Sequence, residues 1–269
     1  MKKTIFKGAG VALITPMNKD GSVNYDALGQ LIEFQIKNGT DAIITCGTTG
    51  ESATLSCEEK IKVIKFTVEK TAKRIPVIAG TGCNDTETTL KSSLKAQELG
   101  VDGLLIVTPY YNKTSQSGLI KHYTYIADKI DIPIILYNVP SRTGVNINPD
   151  TCAELSKHPN ICAIKEASGD ISQVAKIKNL CGENLNIYSG NDDQIVPILS
   201  LGGIGVISVF SNICPKECHL LVKEYLEGNI EVASKMQIKY LELMNTMFCD
   251  VNPIPVKEAL NMMGYGCGR

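Results

Sequence analysis

Eight short apolar runs separated by amphipathic stretches constrain this chain more than any other feature. The runs fall at residues 11–15, 42–46, 76–79, 103–108, 133–137, 161–165, 186–189 and 205–209. They are apolar on nearly every residue, as strands covered on both faces are. Helical patterns lie between them at 25–37, 58–73, 86–99, 118–129, 149–157, 171–180 and 193–201. Asn24, Ser56, Asp85, Asn148 and Asp170 stand where N-caps belong, and Gly39, Gly100 and Gly182 where a helix ends in a left-handed residue. Strands that alternate with helices pair in parallel, because the helix must carry the chain back to the same edge. An open doubly wound sheet and a closed barrel both satisfy this order. A repeat of about 30 residues, run eight times over 269 residues, favours an α/β fold of the (β/α)8 TIM-barrel type. After the eighth run the pattern is helical only, at 215–227, 231–247 and 255–263, punctuated by Asn252, Pro253 and Pro255. The expectation is a barrel over residues 1–226 with a small helical appendage over 227–269.

Charge and cysteine usage narrow the function classes. Lys and Arg total 27 against 28 Asp and Glu, a net charge of -1, which offers no field for nucleic acid or an anionic membrane. No apolar segment approaches the roughly 20 residues that span a bilayer, and the run broken by Gly8 and Gly10 is too brief for a signal-peptide core. A cytoplasmic small-molecule enzyme is expected. The ten cysteines are dispersed, with neither a C-x-x-C pair nor a histidine at ligand spacing, so neither a zinc site nor a disulfide scaffold is expected. Met236, Met244 and Met247 read as core-facing helix positions. His122, His158 and His219 carry no paired carboxylate motif and are assigned no chemistry.

In a (β/α)8 barrel the chemistry lies at the C-terminal ends of the strands. The sixth run ends on Lys165, in I-C-A-I-K-E-A-S. A strand-end lysine is more often outward and solvated. If buried, desolvation disfavours the charged form of such an amine and leaves it able to attack a carbonyl as a Schiff-base nucleophile. After the second run, Gly47-Thr48-Thr49-Gly50-Glu51-Ser52 can present backbone N–H and hydroxyl donors to a carboxylate, or merely cap its own turn. No Walker lysine accompanies it. Tyr110 and Tyr111 follow the fourth run and Tyr137 ends the fifth; each is an anchored ring or a proton carrier. Arg142, in a Pro- and Gly-defined loop, suits bidentate carboxylate binding or a surface ion pair. Ser189-Gly190-Asn191-Asp192-Asp193 follows the seventh run, whereas the glycines at 202, 203 and 205 precede the eighth strand and so fail as a dinucleotide fingerprint. Gly8-Ala9-Gly10 lacks the third glycine.

Taken together, G-T-T-G-E-S, T-P-Y-Y-N, Y-N-V-P-S-R-T-G, I-K-E-A-S, S-G-N-D and G-V-I-S-V, in this order along essentially the whole chain, resemble the dihydrodipicolinate synthase family of pyruvate-dependent class I aldolases. The resemblance implies that Lys165 forms a Schiff base with pyruvate and that the resulting enamine attacks aspartate semialdehyde. It implies Tyr137 as central acid and base in a relay with Thr48 and Tyr111, Thr49 at the pyruvate carboxylate, Arg142 at the semialdehyde carboxylate, and Gly190 and Ile207 lining the pyruvate pocket. No metal or organic cofactor is implied. The family's Tyr111 reaches a neighbouring subunit's site, which implies a homotetramer of two tight dimers. Where lysine-regulated relatives carry two histidines and a glutamate, this chain has Cys57, Lys60 and Thr88, so weak or absent lysine feedback is expected. Relatives also continue past Gly268-Arg269, so a truncated appendage is expected. Two rival readings remain. A sister lyase for N-acetylneuraminate or keto-sugar acids would keep the lysine and tyrosine but lack an arginine at 142, and a catalytically silent barrel would have no physical reason to keep a buried lysine.

Overall fold

The computed structural model describes residues 2–268. Eight strands, β1 (Gly8–Ala12), β2 (Ala42–Thr45), β3 (Val77–Gly80), β4 (Gly103–Val107), β5 (Ile134–Asn138), β6 (Ile161–Glu166), β7 (Asn186–Ser189) and β8 (Gly205–Ser208), pair in sequence order. Every pairing is parallel, and β8 closes onto β1 through Gly8↔Gly205 to Val11↔Ser208. The ring of helices comprises α1 (Tyr25–Lys37), α2 (Cys57–Thr71), α3 (Thr86–Glu98), α4 (Gln116–Ala127), the one-turn α5 (Pro140–Thr143), α6 (Pro149–Leu155), α7 (Ile171–Cys181), α8 (Ile195–Ser200) and α9 (Pro215–Leu226). α10 (Ile230–Thr246) and α11 (Ile254–Met262) follow. The expected α/β barrel with a helical C-terminal region is what the chain forms.

Strand alternation divides the interior in two. Ile44, Ile78, Leu105, Ile135, Ala163 and Ile207 share the barrel's inner cluster, while their strand neighbours Ile43, Leu104, Leu136 and Ile164 belong to the larger layer under the helices. This period of two assigns each mouth residue a face. Lys165 has the parity of Ala163 and points inward; Glu166 has the parity of Ile164 and points toward the helices.

Four expected N-caps close as read: Asn24, Ser56, Asp85 and Asp170 each accept from the backbone N–H three residues on. Asn148 occupies its cap position without a capping bond to the helix, ahead of Pro149, and its Oδ1 accepts from Asn146 Nδ2 at 3.3 Å instead. Two readings need correction. The first strand runs from Gly8, not from residue 11, because close packing demands its glycines. A Cβ on Gly8 would sit 2.1 Å from the Asp41 carboxylate, and one on Gly10 would sit 2.7 Å from Ile44. The segment after β5 is not open loop but the single turn α5, started by Pro140 and ended by Gly144 at φ 68°.

Candidate active site

Lys165 is 5 % exposed on β6 and lies opposite Tyr137 of β5 in the strand register. Its Nζ is 4.5 Å from the centre of the Tyr137 ring, a cation–π distance that holds the group beside that ring at the mouth. The solvated, outward lysine is thereby set aside. Ile207 is fully buried on the inner face of β8. Gly190 follows β7, where its N–H donates to the Glu166 carbonyl at 2.7 Å. A side chain there would collide with Ala167 at 2.5 Å, so only glycine lets the backbone come this close to the lysine strand.

Thr48 and Thr49 occupy a tight turn after β2, Thr49 buried and Thr48 half-buried. Cys46 at φ 53° and Glu51 at φ 55° bracket the turn in left-handed conformations that side chains adopt reluctantly. Arg142 is exposed on α5, at the rim instead of within the mouth. Tyr111 is 91 % exposed with φ 70° and projects away from its own barrel. Among the described residues no hydrogen bond joins the hydroxyls of Thr48, Tyr111 and Tyr137 within the protomer. Lys165, Tyr137, Thr49, Gly190 and Ile207 are thus gathered at one end of the barrel, with Arg142 and Tyr111 on its edge.

Several polar groups around the mouth escaped the sequence reading. Glu166, 1 % exposed, accepts from Asn138 at 2.9 Å, Gln173 at 3.1 Å and the Ser168 N–H at 2.7 Å, and Asn138 also bonds Asn146 at 2.8 Å. This network ties β5, β6 and α7 directly behind Tyr137 and Lys165. Asp192 is buried after β7 and accepts from the N–H groups of Val209 and Phe210 at 3.0 and 2.9 Å. Burial pushes its carboxyl above the usual carboxylate range, against hydrogen bonds from Ser208, Phe210 and Val209 and the nearby Lys165 charge. Among the described residues its Oδ1 and the Thr108 hydroxyl have no hydrogen-bond partner. Period-two parity could have flagged Glu166 in advance; nothing local marks Asp192 from its neighbour Asp193. Two histidines do find carboxylates across the chain, His158 with Asp128 at 3.1 Å and His219 with Asp41 at 2.9 Å, both away from the mouth.

A closed parallel barrel with an inward lysine beside a tyrosine at its C-terminal mouth is the architecture of a class I aldolase. The model of the dihydrodipicolinate synthetase family matches residues 5–269, and the chain belongs to that family. It is 59 % identical over 265 residues to a 4-hydroxy-tetrahydrodipicolinate synthase of Caldicellulosiruptor saccharolyticus, covering 98 % of this chain and 90 % of the relative. The crystal structure of dihydrodipicolinate synthase from Aquifex aeolicus superimposes with a TM-score of 0.95 at 47 % identity, over 97 % of this chain and 89 % of that one. A structure described as the first monomeric dihydrodipicolinate synthase variant also superimposes with a TM-score of 0.95, at 44 % identity, over 97 % and 88 % of the two chains.

Proposed function

We propose that the mouth performs its condensation through a Schiff base on Lys165, with the residues gathered there dividing the work of binding and proton transfer. The chain is a lyase that joins pyruvate to aspartate semialdehyde, giving 4-hydroxy-tetrahydrodipicolinate for lysine biosynthesis. In this reading Lys165 Nζ attacks the keto carbon of pyruvate and water leaves, forming an imine. Loss of a methyl proton yields the enamine, whose carbon attacks the aldehyde; the semialdehyde's amine then adds to the imine carbon and displaces Lys165. Tyr137 moves the protons, relayed through Thr48 and Tyr111 of the partner subunit. Thr49 donates to the pyruvate carboxylate, Gly190 and Ile207 line its pocket with backbone groups, and Arg142 holds the semialdehyde carboxylate from the rim.

The observation that carries the reading is the buried Lys165 amine over the Tyr137 ring at 4.5 Å. A nucleophile and a proton carrier are held together there, and the turn carrying Thr49 supplies the anion holder. The rim position of Arg142 fits a second substrate that arrives after the first is bound, and the near-complete exposure of Tyr111 fits a side chain destined for another protomer. A homotetramer of two dimers is proposed on that basis. Residues 1–226 are read as the barrel and 227–269 as its helical addition. No helix among the described residues is long and apolar enough to cross a membrane, and a cytoplasmic location is proposed.

Cys57, Lys60 and Thr88 line one cavity of about 370 Å³ together with Lys91 and Lys95. Three ammonium groups around one cavity disfavour a cationic amino acid, so lysine feedback is proposed to be weak or absent; inhibition of the condensation at low lysine concentration would refute this. The function itself is tested by supplying pyruvate with aspartate semialdehyde or with N-acetylmannosamine. Turnover only with the semialdehyde, abolished by Arg142→Ala, is expected; preference for the sugar would overturn the assignment.

A further inference from the structure

The turn that carries Thr49 is held from the far end of the chain. Asn252, 7 % exposed in the connection between α10 and α11, donates from Nδ2 to Thr49 Oγ1 at 2.9 Å across 203 residues of sequence. One turn further on, Lys257 of α11, 2 % exposed, donates from Nζ to Glu51 Oε2 at 3.0 Å. The two ties fall on either side of Gly50, whose carbonyl in turn accepts from Thr15 Oγ1 at 2.7 Å. The turn they grip is also the one with left-handed Cys46 and Glu51, a conformation that persists only when its surroundings over-determine it.

The direction of the Asn252 bond has a chemical consequence. A hydroxyl has one proton to donate and lone pairs to accept with. By receiving the Asn252 amide proton, Thr49 spends acceptor capacity and keeps its own proton for another partner. A threonine so held is a donor toward the mouth, as an anion there requires.

We infer that Asn252 is a positioning residue that fixes Thr49 as a hydrogen-bond donor to the carboxylate of the first substrate, and that the Lys257–Glu51 pair locks the same turn, so that the C-terminal helical region is part of the barrel's binding apparatus. The inference rests on Thr49 meeting that carboxylate. Asn252 touches no substrate in this account; it acts through Thr49. Its loss therefore weakens the first binding step and leaves the second substrate's step nearly untouched. Asn252→Asp is the sharpest change, because it removes the donor, accepts the Thr49 proton, and sets a negative charge behind the hydroxyl at nearly constant volume.

The test measures the pyruvate concentration that half-saturates borohydride trapping on Lys165, alongside the KM for aspartate semialdehyde at saturating pyruvate. For Asn252→Asp the pyruvate value is expected to rise about tenfold or more, the loss of one charge-assisted hydrogen bond, with the semialdehyde KM changed less than about threefold. Asn252→Ala, which also serves if the aspartate variant does not fold, is expected to shift the same value in the same direction. In a Thr49→Val background Asn252→Ala should add nothing, since the hydroxyl through which it acts is gone. Folded variants with wild-type pyruvate half-saturation, equal rises for both substrates, or full additivity with Thr49→Val would each overturn the inference. A wild-type enzyme that traps no pyruvate would instead remove the Schiff-base reading on which it stands.

Discussion

Phe6, just before β1, and the Tyr188 ring that reaches back to it from β7 fill one part of the barrel interior, whereas Lys165 and Tyr137 lie side by side where their strands end. In the first part the rings stack at 4.4 Å and 15°, and the Tyr188 hydroxyl donates to the Phe6 carbonyl at 2.7 Å. Asp41 takes the Ala9 N–H at 2.7 Å and the His219 ring at 2.9 Å, and the Lys2 ammonium caps the carbonyls of His158 and Ile161. These polar groups are answered within the protein. At the other end, among the described residues, the hydroxyl of Thr108 and one oxygen of Asp192 are buried without partners, and the turn around Thr49 is strained. Underpartnered polar groups cost stability and are what a substrate can satisfy. A barrel can carry that cost at one end because the other end and the surrounding helices hold the fold.

Substitutions at the two ends should therefore separate activity from stability. Lys165→Ala should abolish condensation, a loss of at least ~10³-fold in kcat, while thermal unfolding stays at or above the wild-type midpoint, since a buried amine is removed; steady-state kinetics beside calorimetry check this. Phe6→Ala reverses the pattern, leaving a cavity against Tyr188 that should cost about 3–5 kcal/mol in urea unfolding, with kcat per folded molecule unchanged. An equal loss of activity in both variants would break the division.

The barrel wall gives a third, smaller case. His122 on α4 is buried, with Nδ1 2.9 Å from Thr86 Oγ1 and, among the described residues, no partner for Nε2. Burial pushes its pKa from 6.5 down to about 4, with Asp85 opposing. A folded-state pKa below the unfolded value means that the unfolded chain binds the proton more readily. This contribution to stability is complete above the unfolded value and is lost as pH falls toward about 4, to a total of about 3 kcal/mol. His122→Gln should flatten the fall, as read by urea midpoints at pH 7 and 5. Smallest of all, Ser56→Ala breaks the capping box of α2 and should cost about 1 kcal/mol with no change in either substrate's KM.

The same contrast decides what could be read from the sequence. The barrel was legible because eight apolar runs with caps between them admit few topologies, and Lys165 because it interrupts such a run at the end where barrels do chemistry. Only β1 was misplaced, since Gly8 and Gly10 read as breakers when the requirement for them is tertiary, set by Asp41 and Ile44. The Asn252 and Lys257 ties to the Thr49 turn span more than 200 residues, a separation at which no local pattern reports contact. Glu166 gave a period-two signal, but its partners on β5 and α7 exist only once the strands pair.

The central claim, that Lys165 is the nucleophile at the barrel's open end, is tested most directly by intact-mass spectrometry after borohydride reduction in the presence of pyruvate. One pyruvyl adduct per chain on the wild-type protein, and none on a folded Lys165→Ala variant, is the predicted result. An unmodified wild-type protein, or an adduct that survives the substitution, would contradict it.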